Sequence, residues 1–177
     1  GVMILILTDF ILREVESDKS SFKRIILDEA WELLKSQAAA NFMEYCARTL
    51  RKTGSGITFI TQGLEEIVAS PIGAAIINNT ATKLILLQRG DTKTLVNTLK
   101  LNPQELSLIQ SLRSKKGEYS EAFLIEGEER QVIRVYPHPM EYWLSTSSAD
   151  DNLFLQNLTK SMSLWEAVKS AASRRPA

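Results

Sequence analysis

Residues Arg24-Ile25-Ile26-Leu27 form a short apolar run that ends abruptly in two adjacent carboxylates, Asp28-Glu29, followed by Ala30-Trp31. A run this short reads as a buried parallel strand, because a central strand covered on both faces needs no alternation and a helix needs more residues. An acid pair directly after such a strand is a candidate functional feature, and a modest signal by itself. Strand-ending carboxylates also serve simply to cap the next helix, so the pair needs support from elsewhere in the chain.

A chain of 177 residues, 44% hydrophobic and 24% charged, is long enough to bury the core of one domain. Its 21 basic and 21 acidic residues cancel, so no net field draws nucleic acid or anionic lipid, and such a contact would need a local patch. One cysteine, Cys46, excludes an internal disulfide, and with His138 as the lone histidine there are too few soft ligands for zinc. A cytosolic domain is the plain expectation. The longest apolar run, Val2 to Leu7, is too short to span a bilayer, and neither a basic leader nor a small-residue cleavage site frames it as a signal peptide. Entry into apolar sequence directly after Gly1 suggests a piece of a larger protein.

The apolar periodicity predicts a buried helix over residues 1–16, a loop over Ser17 to Lys23 and a strand over Arg24 to Leu27. The next helix sets Phe42, Tyr45, Cys46, Thr49 and Leu50 on one face and Arg48, Arg51 and Lys52 on another. Gly54-Ser55-Gly56 stops it, and Ile57 to Thr61 is a second strand ending in Thr61-Gln62-Gly63. Ser70-Pro71 reads as a helix start, closed by Asn78-Asn79-Thr80, and Lys83 to Gln88 as a third strand with Arg89 at its end. Asn102-Pro103-Gln104-Glu105 opens a helix that Gly117 should close. Glu121 to Glu126 and Arg130 to Tyr136 read as an edge hairpin, and residues 137–177 as amphipathic helix, continuous from Asp150 to Ala172, with a frayed Arg174-Arg175-Pro176-Ala177. The expected fold class is therefore α/β, a mostly parallel sheet with helices on both faces, an edge hairpin and C-terminal helices. Domain 1–136 would carry the sheet and 137–177 a helical extension.

Three cations at i, i+3 and i+4 are commonly no more than a solvated helix face, and Trp31, Trp143 and Trp165, with no basic stripe beside them, read as core or interface anchors. The acid pair nevertheless resembles the Walker B motif of P-loop NTPases. That resemblance implies Asp28 as the acid that holds the Mg²⁺ water shell, Glu29 as the one that polarises the attacking water, and Gln62 as a sensor on the neighbouring strand. The partner signature G-x-x-x-x-G-K-[ST] occurs nowhere in the 177 residues, so half of such a site is encoded here.

Asp28-Glu29-Ala30-Trp31, then Arg48-x-x-Arg51-Lys52, then Thr61-Gln62, then Asn78-Asn79-Thr80-Ala81-Thr82-Lys83 follow one another as in the TraC-like, VirB-type ATPases of conjugative type IV secretion systems. Leu101-Asn102-Pro103-Gln104-Glu105 is similar to a further segment of that family, and the resemblance covers residues 1–145 or so. It implies a partial RecA-like P-loop fold, ATP and Mg²⁺ as cofactors, Asp28 on the metal, and Glu29 with Gln62 in catalysis. Arg48 or Arg51 would act as an arginine finger, with Arg89 as a rival, and Lys52, Arg89, Asn78 and Thr82 would serve in nucleotide binding. It further implies self-association, as a hexamer or another oligomer, at the cytoplasmic face of the bacterial inner membrane beside the subunits of the secretion channel. The alternatives are a DNA translocase motor of the HerA or FtsK kind, which neutral charge disfavours, and a non-catalytic interaction module.

Overall fold

The computed structural model of the chain describes residues 2–18 and 20–173, with the side chains of residues 2–5 and of Trp31 outside the description. The expected frayed end, Arg174-Arg175-Pro176-Ala177, therefore lies outside the described residues, as does the side chain of the expected anchor Trp31. The chain divides into two compact units, Gly1–Thr82 with Asp91–Lys100, and Lys83–Gly90 with Leu101–Ala177.

In the first unit β1 (Arg24–Leu27) pairs in parallel with β2 (Gly56–Phe59), Arg24 opposite Gly56 and Leu27 opposite Phe59. The pairing continues past both strands, where Ile60 N–H donates to Leu27 O at 2.9 Å and Ala30 N–H donates to Ile60 O at 3.0 Å. These bonds fix the chain on either side of Asp28 and Glu29. Residues Ile25, Leu27, Ile57 and Phe59 turn inward onto a core of Phe42, Met43, Cys46, Leu50, Ile67 and Ile76. Ile26 and Thr58, on the opposite face of the pair, are exposed.

The helices of this unit are α1 (Val2–Ser17), α2 (Ala30–Leu34), α3 (Gln37–Thr49), α4 (Glu65–Ala69), α5 (Gly73–Asn79) and α6 (Lys93–Leu99). α3 is the hub, packed by α1, α2 and α5, and it runs on into a 3₁₀ turn, Leu50–Thr53. Its buried stripe is centred on Met43, rotated from the expected one: small Ala39 and Ala40 bring that side close to its neighbours. Tyr45 is left exposed, where its hydroxyl donates to Glu16 of α1 at 3.2 Å.

Two further expectations are corrected here. α1 forms, but it is not buried all round: Val15 is buried with Ile11 and Leu12 beside it, whereas Ile6, Leu7 and Phe10 are exposed. Helix α5 starts at Gly73 rather than at Ser70-Pro71, which instead turn the chain, with Gly73 N–H donating to Ser70 O at 2.9 Å. The reason is close approach: a Cβ at Gly73 would lie 1.9 Å from the carbonyl oxygen of Ile67, so glycine lets α4 and α5 meet. Helix α6, with Leu95 and Leu99 buried, was not foreseen from periodicity.

The second unit holds a four-stranded sheet in which β5 (Tyr119–Glu126) is flanked by β3 (Thr82–Ile85), by the two-residue β4 (Ser114–Lys115) and by β6 (Glu129–Val135). β4 and β6 are antiparallel to β5, and the hairpin turns at Gly127, whose φ of 60° suits glycine. The third strand thus lies beside the hairpin and ends at Ile85, three residues before the expected Gln88. α7 (Pro103–Ser111) has the expected capping box of Asn102 and Glu105, but it ends at Ser111; Gly117, at φ 70°, turns the chain between β4 and β5. The tail after α8 (Pro139–Ser145) is two helices, α9 (Ala149–Thr159) and α10 (Leu164–Ala172), because Ser163 caps a new N-terminus with Glu166. Trp143, Leu155, Ala167, Val168 and Ala171 form their shared core.

Candidate functional site

The parallel pair delivers its two strand ends to one edge, and three of the expected residues meet there. Asp28 follows β1 and is exposed; Glu29, half-buried, stands next to it in the left-handed region at φ 50° and ψ 46°. That conformation is costly for any residue with a Cβ other than asparagine or aspartate, at about 1–2 kcal/mol. Two contacts accompany it: Glu29 N–H donates to Asp28 Oδ1 at 3.0 Å, and Gln62 Nε2 donates to Glu29 Oε1 at 2.8 Å. Gln62 reaches this position because Ile60 extends the ladder and Thr61 then folds the chain, its hydroxyl donating to Gly63 O at 2.8 Å. The edge therefore carries one exposed acid and a second acid oriented by an amide from the neighbouring strand.

No group of three or more histidine, cysteine or acidic side chains that could hold a metal occurs among the described residues. An all-protein metal cage is not what this edge builds. A single exposed carboxylate, Asp28, does fit Mg²⁺, which keeps most of its waters and takes one or two carboxylates together with phosphate oxygens.

The basic residues gather at the other edge. α3 and its 3₁₀ turn carry Arg48, Arg51 and Lys52 back to the start of β2, and with Asn78, Asn79 at the end of α5 they line an open cleft of 560 Å³. Ala47 and Ala81 complete its wall, so no carboxylate lines it among the described residues. Arg48 pairs with Glu44 one turn earlier at 2.9 Å, and Asn79 Nδ2 donates to Ala75 O at 2.7 Å. Arg51 and Lys52 are exposed and make no ion pair among the described residues. Because β1 and β2 are parallel and four residues long, about 13 Å of strand separates this edge from Asp28 and Glu29.

Thr82 is exposed at the start of β3 and does not line the cleft. Arg89 is exposed in the irregular segment after β3 and belongs to the second unit, so it does not end a strand. Sequence reasoning did not single out Glu44, the partner of Arg48, or Asn79 as a cleft residue. The first was legible, since an acid four residues before an arginine on a helix is a pairing signal.

A parallel strand pair that ends in an acid pair, with Gln62 in the turn after the neighbouring strand, is the arrangement of an α/β protein with a polar ligand edge. The fold matches the solved structure of VirB4 of Thermoanaerobacter pseudethanolicus with a TM-score of 0.64, at 24% identity, over 78% of this chain and 37% of that one. Residues 1–175 match the model of the TraG P-loop domain, and the chain belongs to that family. Among curated proteins it is similar to the type IV secretion system protein virB4 of Bartonella quintana (strain Toulouse) and to that of Bartonella henselae, each 30% identical over 110 residues. The match covers 62% of this chain and 14% of each relative, so the chain spans a small part of their length. The likeness to TraC-like, VirB-type proteins read from the motifs is met by all three comparisons.

Proposed function

We propose that this chain carries the hydrolytic edge and the phosphate-receiving face of an ATPase motor that drives a type IV secretion or conjugation machine. The observation that carries the reading is the hydrogen bond of Gln62 to Glu29 beside Asp28 at the end of the parallel pair. Asp28 would hold Mg²⁺ through its water shell, and MgATP would supply the phosphoanhydride bond and the charge neutralisation of its phosphates. Glu29 accepts a proton from water, and Gln62 keeps that carboxylate turned to the strand edge. Arg48, Arg51, Lys52 and Asn78 face the other way, so a subunit of this shape offers them to the phosphates of a neighbour's nucleotide. That division requires self-association, which we read as a ring of six; the type IV secretion name of the virB4 relatives supports a place with a secretion machine, and we put that place beside the channel subunits at the cytoplasmic face of the inner membrane. No helix among the described residues is long and apolar enough to cross a membrane. Residues 1–136 would form the motor part and 137–177 its helical extension.

The test uses a protein that joins these residues to a phosphate loop, mixing Glu29→Gln subunits with Arg51→Ala subunits. Each alone should be inactive, whereas the mixture should recover about a quarter of normal turnover, because an intact Glu29 then meets an intact neighbouring Arg51 at that fraction of random interfaces. Mixtures that stay inactive would overturn action across subunits.

A further inference from the structure

The cleft lined by Arg51, Lys52 and Asn78 has properties that action on a neighbour does not require. It is formed within one unit of a single chain, it holds 560 Å³, and nothing acidic among the described residues lines it. Arg51 and Lys52 project from the 3₁₀ turn at its rim with no ion-pair partner among the described residues, and Asn78, at the end of α5, has no hydrogen bond from its amide among them. Arg48 differs, since Glu44 Oε1 engages its guanidinium at 2.9 Å. Planar guanidinium, compact ammonium and amide N–H groups converging without a carboxylate match the oxygens of linked phosphates better than those of any neutral ligand.

We infer that this cleft is a phosphate-chain site complete in the single chain, in which Arg51, Lys52 and Asn78 bind and Glu44 holds Arg48 in reserve. The inference rests on the reading of this face as phosphate-receiving and carries it further: affinity for a short polyphosphate resides in the chain before any partner arrives. Glu44 becomes a gain control. With Glu44 present Arg48 is shared, and without it a third cation turns to the ligand.

Titration of the 177-residue chain with inorganic pyrophosphate, followed by calorimetry and by the amide resonances of residues 47–53 and 78–81, tests this without hydrolysis. Saturable binding that exceeds that of sulfate at equal ionic strength is expected, weakened about tenfold or more by Arg51→Ala or Lys52→Ala, as loss of a charge-assisted contact predicts. Glu44→Gln should tighten it by about two- to fivefold, the scale of an exposed helical ion pair released, and Arg13→Ala, an exposed cation of α1 that does not line the cleft, should leave it unchanged. ATP should bind the same residues with its triphosphate, so that a pyrophosphate chase displaces it. Pyrophosphate binding no better than sulfate, or indifferent to Arg51→Ala, would overturn the site; a Glu44→Gln chain that binds no more tightly would overturn the gain control. Either failure leaves the subunit-mixing result standing, so the cleft and the motor are judged separately.

Discussion

At the scale of single residues, the acid pair and Gln62 were legible because each follows a short apolar strand, and strands of a parallel pair end at the same edge. The backbone of Glu29 was not, since a left-handed glutamate goes against local preference and is held by its surroundings. This conformation makes a prediction independent of the carboxylate. Glu29→Gly and Glu29→Ala both remove the contact with Gln62, so their difference reports the backbone alone. At an ordinary helical or strand position glycine is the less stable of the two by about 0.5–1 kcal/mol. At φ 50° the order should reverse, with Glu29→Gly more stable than Glu29→Ala by about 1 kcal/mol in urea unfolding. If Glu29→Ala proves the more stable, the left-handed site geometry is wrong. Arg48, Arg51 and Lys52 were legible as one cationic face, but their place opposite the acids followed only from the direction in which α3 returns to β2.

At the scale of elements, periodicity found β1, β2, β3, the hairpin and α7, whose capping box is written in Asn102-Pro103-Gln104-Glu105, but it missed β4, which lies inside the helix expected to run to Gly117. It erred where tertiary approach decides. Ser70-Pro71 has the chemistry of a helix start, yet α5 begins at Gly73 because two short helices meet backbone to backbone. The apolar stripe from Asp150 to Ala172 keeps its rhythm across residues 160–163, which hid the break that Ser163 and Glu166 signal. Gly73→Ala tests the helix contact directly: its Cβ would fall 1.9 Å from Ile67 O and 2.9 Å from Ile67 C, so backbone must move. A loss of about 3 kcal/mol is expected, as for severe overpacking. Gly90→Ala, whose Cβ would meet nothing within 4 Å, should stay within about 0.5 kcal/mol of the parent in the same unfolding experiment.

At the scale of the whole molecule, short strands of four residues carry no register of their own, and the partner of β3 could not be read from Thr82 to Ile85. Each unit has its own core, and in the second a polar cluster ties the β4–β5 turn to the helical tail. Asp151 Oδ2 accepts from Tyr142 OH at 2.5 Å and from Thr146 Oγ1 at 2.8 Å, while Lys116 Nζ donates to Asp151 Oδ1 at 3.0 Å. Burial pushes the Asp151 carboxyl up, but the hydrogen bonds from Tyr142, Lys116 and Thr146 outweigh it and hold the group below its usual value. A carboxyl with a lowered folded value stabilises the fold fully above its unfolded value of about 3.9 and loses that contribution as pH falls through the folded one. Amide exchange protection in α8 and α9 should therefore keep the Asp151 contribution from pH 7 down to about 4, and shed it below. Asp151→Asn should lower protection in both helices already at pH 7 and flatten the acid limb, since the neutral amide has no proton to take up. An unchanged acid limb in that variant would assign the loss to other carboxylates and leave Asp151 a bystander in how the second unit holds its tail.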